Sequence, residues 1–148
     1  MNGINLGKVI VGGVVAGLVL NIGQSIVHLY LFAAQSAAIT EAMGLPETTG
    51  SQIGMYWALG FVIGLVMMFM YAGFRPRCGP GVNTALAAGA VTFILGELIP
   101  TLYNLVSGLT SLGDSLPFVL STLVLLMVSS VAGAALYTED DGGGTEAA

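Results

Sequence analysis

Four apolar stretches decide what this chain can be. They fall at residues 9–34, 53–74, 82–109 and 116–137, and each is long enough to cross a bilayer, which takes about 20 apolar residues in a helix. In hydrocarbon every backbone N–H and C=O must find a partner without water, and a helix supplies those partners within a single segment. The expected fold is an all-α membrane protein with four transmembrane helices in a bundle. The charge content points the same way. Only 7% of the 148 residues are charged, against about 25% in soluble domains, too few to coat a water-facing surface.

The first stretch follows Lys8, as the apolar part of a signal peptide would. It exceeds the usual length of about 7–15 residues, and no small-residue cleavage site closes it, so it reads as a retained span. Residues 1–137 then form one four-helix transmembrane domain. The remainder, "TEDDGGGTEAA" at 138–148, is acidic and glycine-rich and reads as a disordered cytoplasmic tail. Between the spans, "SAAITEAMG" has the composition of a short surface helix ending at Gly44. "RPRCGPG" makes a compact turn stiffened by Pro76 and Pro80. Asp114 or Ser115 is placed to cap the fourth helix ahead of Pro117.

An even number of spans puts both termini and the second loop on one side. Lys8, Arg75 and Arg77 are the only basic residues, and all three fall there. Basic residues are retained on the cytoplasmic face, so the expected location is the cell's inner (plasma) membrane, multi-pass, with both termini cytoplasmic. The same three side chains are positioned to meet lipid headgroups. Tyr30, Tyr56, Trp57 and Tyr103 would sit at the outer interface, and Tyr71, Phe74 and Tyr137 at the inner one. Three basic residues give no electrostatic footprint for nucleic acid.

Helices in lipid associate by close backbone approach and polar contacts. Each span holds a pair of small residues four apart: Gly13 and Gly17, Gly60 and Gly64, Ala85 and Gly89, Ser129 and Gly133. The glycines of "GVVAG" and "GFVIG" lie inside apolar spans without an accompanying lysine, so they read as packing motifs rather than phosphate loops. Cys78 alone can form neither an intrachain disulfide nor a thiolate cluster, and no metal site or resident cofactor is expected.

"GQSIVHLY" (23–30) lines up with "GELIPTLY" (96–103) at an offset of 73 residues, which also carries Val9 onto Val82. The alignment implies two parallel-repeat hairpins about an axis along the membrane normal. Gln24 and Glu97 then lie at equal depth, ~6 Å outward of each helix midpoint at 1.5 Å per residue, and the axis could bring them face to face. Pro100 leaves the Gly96 carbonyl without its helical donor. One turn outward, His28 falls level with Thr101. Gln24, Glu97, His28 and Thr101 are thus the candidate intramembrane polar site, since ionisable groups within spans mark interiors or pathways.

The stretch "YAGFRPRCGPGVNTA" resembles a signature of small four-span bacterial membrane proteins whose second and third helices are joined by an R-P-R-x-G-P-G turn followed by T-A. Arg75, Pro76, Arg77, Gly79, Pro80, Gly81, Thr84 and Ala85 carry the match, and "LGKVIVGGVVAG" is similar to the start of those proteins. The resemblance implies the four-span topology and no activity.

Three functional readings follow. The leading one is a structural or accessory subunit that packs by its small-residue faces into a homo-oligomer or a larger membrane complex. The second is a small proton- or cation-coupled transporter using Glu97. The third is a haem- or chlorophyll-binding subunit with His28 as ligand. An enzyme is not expected, because catalysis needs converging acids, bases or nucleophiles.

Overall fold

The computed structural model describes residues 4–44, 46 and 48–137; the acidic tail at 138–148 lies outside them. The described chain is all-α, and four of its helical segments are long and apolar enough to span a membrane: Leu6–Leu31, Gly50–Cys78, Val82–Val106 and Leu112–Ala134.

The first span is α1 (Leu6–Ile26), capped by the Asn5 side chain, which accepts from the Lys8 amide at 3.1 Å. It continues through a π-helical turn at Val27–Leu31 and breaks at Phe32 (φ −119°, ψ 8°). Helix α2 (Ala33–Ala42) follows directly and stops at Met43 and Gly44, where φ is +62°. This is the short helix read from "SAAITEAMG", and a left-handed glycine is the usual stop.

The second span, α3 (Gly50–Cys78), is longer at both ends than residues 53–74. A capping box at Thr49 and Gln52 starts it early, and it runs through Pro76 to Cys78. Gly79 (φ 78°) and Gly81 (φ 125°) then turn the chain, conformations that a side chain would strain.

The third span comes in three pieces: α4 (Val82–Phe93), a π-helical turn at Ile94–Leu98, and α5 (Ile99–Val106). Pro100 explains the break. It has no N–H, and its ring would collide with the carbonyl four residues back. The ladder widens ahead of it, with the Ile99 N–H reaching the Ile94 carbonyl. The fourth span, α6 (Leu112–Ala134), begins a turn earlier than expected. Its cap is Ser111, not Asp114 or Ser115. The Ser111 hydroxyl accepts from the Asp114 amide at 3.2 Å and donates to the Asp114 carboxylate at 2.5 Å. Pro117 therefore sits inside the helix.

Among the described residues, α1 packs against α3 and α6, while α4 packs against α6 and α3; α3 and α6 also touch. The first and third spans stand at opposite corners, with α3 and α6 on the short diagonal. The tightest seam is α1 against α3. A Cβ on Gly17 would lie 2.8 Å from the Phe61 Cα, and one on Gly13 2.8 Å from the Leu65 Cα. A Cβ on Gly64 would run into the backbone of Gly13 and Gly17. The other small residues are used in the same way. Gly89 faces Ser130 and the Leu126 carbonyl, and Gly133 faces Gly12, Ala16 and Met68. The Ser130 hydroxyl donates to the Ala85 carbonyl, and Ser129 is wholly buried. All four predicted pairs lie between helices of the same chain. Met67 and Met68 are fully buried core residues.

At the end where α3 meets α4, the Tyr71 ring stands edge-on to Tyr137 at 5.5 Å, and its hydroxyl accepts from the Gly81 amide at 3.2 Å. Tyr71 and Tyr137 are buried rather than spread in an interfacial belt. The Arg75 guanidinium lies 5.4 Å from the centre of the Tyr137 ring. That arginine helps to pin the end of α6 to α3, while Arg77 is exposed. Tyr30, Tyr56 and Tyr103 at the opposite end are well exposed.

Candidate functional site

At the α2 end of the bundle, the third span presents one polar face. Glu97, Thr101 and Asn104 follow each other at spacings of four and three, which stacks them along one side of a helix. Glu97 is half-buried and accepts a hydrogen bond from the Thr101 hydroxyl at 3.0 Å. All three line a cavity of about 560 Å³. Its other walls come from the π turn that ends the first span, from α2, from the third loop and from the first turns of α6.

His28 lies on the π turn opposite the third span and lines the same cavity. Its ring centre is 6.0 Å from that of Phe118, the two planes tilted by 44°. Phe32, at the break after the turn, meets Phe118 edge to face at 5.6 Å. These rings form an aromatic part of the wall of the cavity that Glu97 also lines. Gln35 and Ser36 contribute polar groups from α2, and Asp114 and Ser115 do so from the start of α6. Both flanking π turns sit at this cavity, and such turns recur at functional sites because they re-aim side chains and free backbone groups.

Three of the four residues of the candidate polar site, His28, Glu97 and Thr101, are therefore brought together. Gln24 is not. Its side-chain amide donates to the Thr122 hydroxyl of α6 at 3.4 Å, and Gln24 is not among the cavity residues. The expected Gln24–Glu97 pairing is replaced by two separate bonds, because the spans that hold them stand across the diagonal. The repeat alignment also fails at the π turns. Its offset carries Val27 onto Pro100, whereas the second turn is Ile94–Leu98.

Sequence reasoning passed over Phe32, Gln35, Asp114 and Phe118. Phenylalanine is unremarked in an apolar run, and Asp114 had a ready role as a cap. Their only available signal was position, since all lie within a turn or two of a span's α2 end.

Below the cavity, α6 continues with polar groups turned inward. Thr122, Ser129 and Ser130 are buried on the same face as Leu126 and Gly133. Among the described residues the Ser129 hydroxyl finds no hydrogen-bond partner. At the far end the Thr84 hydroxyl donates to the Gly79 carbonyl at 2.7 Å. Asn21 reaches across from α1 to the Trp57 carbonyl at 2.9 Å, through the space left by Gly60.

Set against protein families, curated proteins and solved structures, the chain matches none.

Proposed function

We propose that this multi-pass membrane protein is a small proton- or cation-coupled carrier whose ligand site is the cavity at the α2 end and whose coupling residue is Glu97. The observation that supports it is convergence. A membrane carboxylate, a histidine and a polar stripe border one open cavity within the size range of ligand pockets, about 300–1,000 Å³. The hydroxyls of Thr122, Ser129 and Ser130 extend polar character from the cavity into the core, as a route through the bundle requires. With Lys8, Arg75 and Arg77 held at the cytoplasmic face of a bacterial inner membrane, the cavity opens outward. The resemblance to small four-span proteins with an R-P-R-x-G-P-G turn fits this topology.

The small-residue faces that suggested an accessory subunit are occupied inside one chain. A second copy or a larger complex would have to meet the lipid-facing surface instead. The haem or chlorophyll reading draws on His28 alone, within the same cavity, and no further observation favours it.

The test is flux. Proteoliposomes holding the full chain, with an imposed proton or cation gradient under a clamped potential, should dissipate it faster than empty vesicles. Glu97→Gln should return the rate to that of empty vesicles while the protein still elutes as a folded species. Undiminished flux in Glu97→Gln would remove Glu97 from the coupling role.

A further inference from the structure

The cavity is one-sided in charge. Glu97 and Asp114 line it, and no lysine or arginine is among the described residues of its walls. The chain's three basic residues lie at the opposite ends of the spans. An anion would therefore face two carboxylates, with only the His28 imidazole among the described wall residues able to offset them. A wholly apolar ligand would strip water from Glu97, Thr101 and Asn104 and give them nothing in return, a penalty for each buried polar group. A bare metal ion fits no better, because among the described residues no group of three or more His, Cys, Asp or Glu gathers.

The aromatic rings line the same cavity as the carboxylate. Phe118 contacts both Phe32 and His28, so the two phenyl rings and the imidazole form a connected surface rather than scattered neighbours. An aromatic face attracts a cation through its quadrupole, and the attraction grows where water is excluded. A carboxylate and aromatic rings lining one cavity suit a charge wrapped in methyl or methylene groups.

We infer that the cavity binds a small organic cation of the alkylammonium class, its charge directed to Glu97 and its carbon shell against Phe118 and Phe32. This rests on the reading of the cavity as a ligand site. It adds the chemical class of the ligand, and it assigns Phe118 and Phe32 as its specificity-determining residues. A free alkylammonium and the choline headgroup of a lipid share this chemistry.

The experiment uses the full chain in nanodiscs of phosphatidylglycerol, which carries no ammonium group. Choline binding is measured by equilibrium dialysis beside 3,3-dimethylbutan-1-ol, its uncharged isostere. Choline should bind saturably and the alcohol at least about tenfold more weakly, the loss expected when a charged partner is removed. Glu97→Gln should weaken choline by about tenfold, and Phe118→Leu by about threefold, each checked for an unchanged melting temperature. Should Glu97→Gln fail to fold, Phe118→Leu and the isostere comparison still decide. Repeating the titration in phosphatidylcholine discs separates the two sources. Weakened binding assigns the site to a lipid headgroup, unchanged binding to a free ammonium, and either supports the class. Equal binding of the alcohol and choline, or choline binding indifferent to both substitutions, overturns the inference. Flux abolished by Glu97→Gln alongside equal binding would leave the carrier standing and remove only the ligand class. Absent flux alongside selective choline binding would do the reverse.

Discussion

Asn21 shows how a single side chain can hold two helices in lipid. Its amide donates to the Trp57 carbonyl of α3 at 2.9 Å, and a Cβ on Gly60 would collide with the same side chain. Asn21→Leu should destabilise the bundle by about 1 kcal/mol, the scale of an interhelical hydrogen bond in a membrane, as read from detergent-induced unfolding. Gln24→Leu should cost less, because the Gln24 bond to Thr122 is long at 3.4 Å. The site was partly legible at this scale. Glu97, Thr101 and His28 stand out because polar groups in apolar runs are conspicuous. Sequence position gives depth in the membrane through the helical rise, however, and not the direction a side chain faces. Gln24 was therefore matched to the right depth and the wrong partner. Phe32 and Phe118 were illegible for the opposite reason, since an aromatic in a membrane span announces nothing until its neighbours are known.

The elements were legible where the backbone obeys hydropathy alone and less so where turn chemistry intervenes. The four spans follow from apolar length. Their ends shifted because side chains in the loops, at Thr49 with Gln52 and at Ser111 with Asp114, extend helices beyond the apolar stretch. Neither π turn was foreseen, although Pro100 supplies a physical reason for the second. Pro100→Ala restores the missing N–H and removes the clash, so Ile94–Leu98 should close to α-helical register. Closing the turn would rotate α5 relative to α4 by roughly 100°, so the face that Glu97 and Thr101 share at four-residue spacing would turn from the cavity while α4 stays packed on α6. The expected outcome is weaker choline binding with unchanged or raised thermal stability. The α1–α3 seam gives a sharper comparison. Gly64→Ala places a methyl group against the backbones of Gly13 and Gly17 and should destabilise by about 1–3 kcal/mol. Gly73→Ala, in the same helix with nothing within 4 Å, should be neutral or slightly stabilising, since alanine is the better helix former. Unfolding of the two variants under identical detergent conditions checks both.

For the whole molecule, the direction of the cavity decides what the proposed carrier could do, and the direction we propose rests on three basic residues. Lys8 begins α1, and Arg75 and Arg77 end α3, so all lie at the end of the bundle away from α2 and the cavity. The rule that keeps such residues in the cytoplasm acts on short loops and on charges near the ends of the spans, and all three meet that condition. Arg75 has a second commitment, its guanidinium resting over the Tyr137 ring, which ties the charged loop to the end of α6. Neutralising Arg75 alone should thus loosen this end before it inverts the topology. Cys78 makes the orientation measurable, because it is exposed at the C-terminal end of α3 beside Arg77 and is the only cysteine in the chain. In intact spheroplasts a membrane-impermeant maleimide should leave it unmodified, and lysis should make it reactive. With Cys78 replaced by serine, a cysteine introduced for Ser107, at the cavity end of α5, should show the reverse pattern. Labelling of Cys78 in intact cells would turn the molecule over. The cavity would then face the cytoplasm, and a ligand reaching Glu97 would be one leaving the cell rather than arriving.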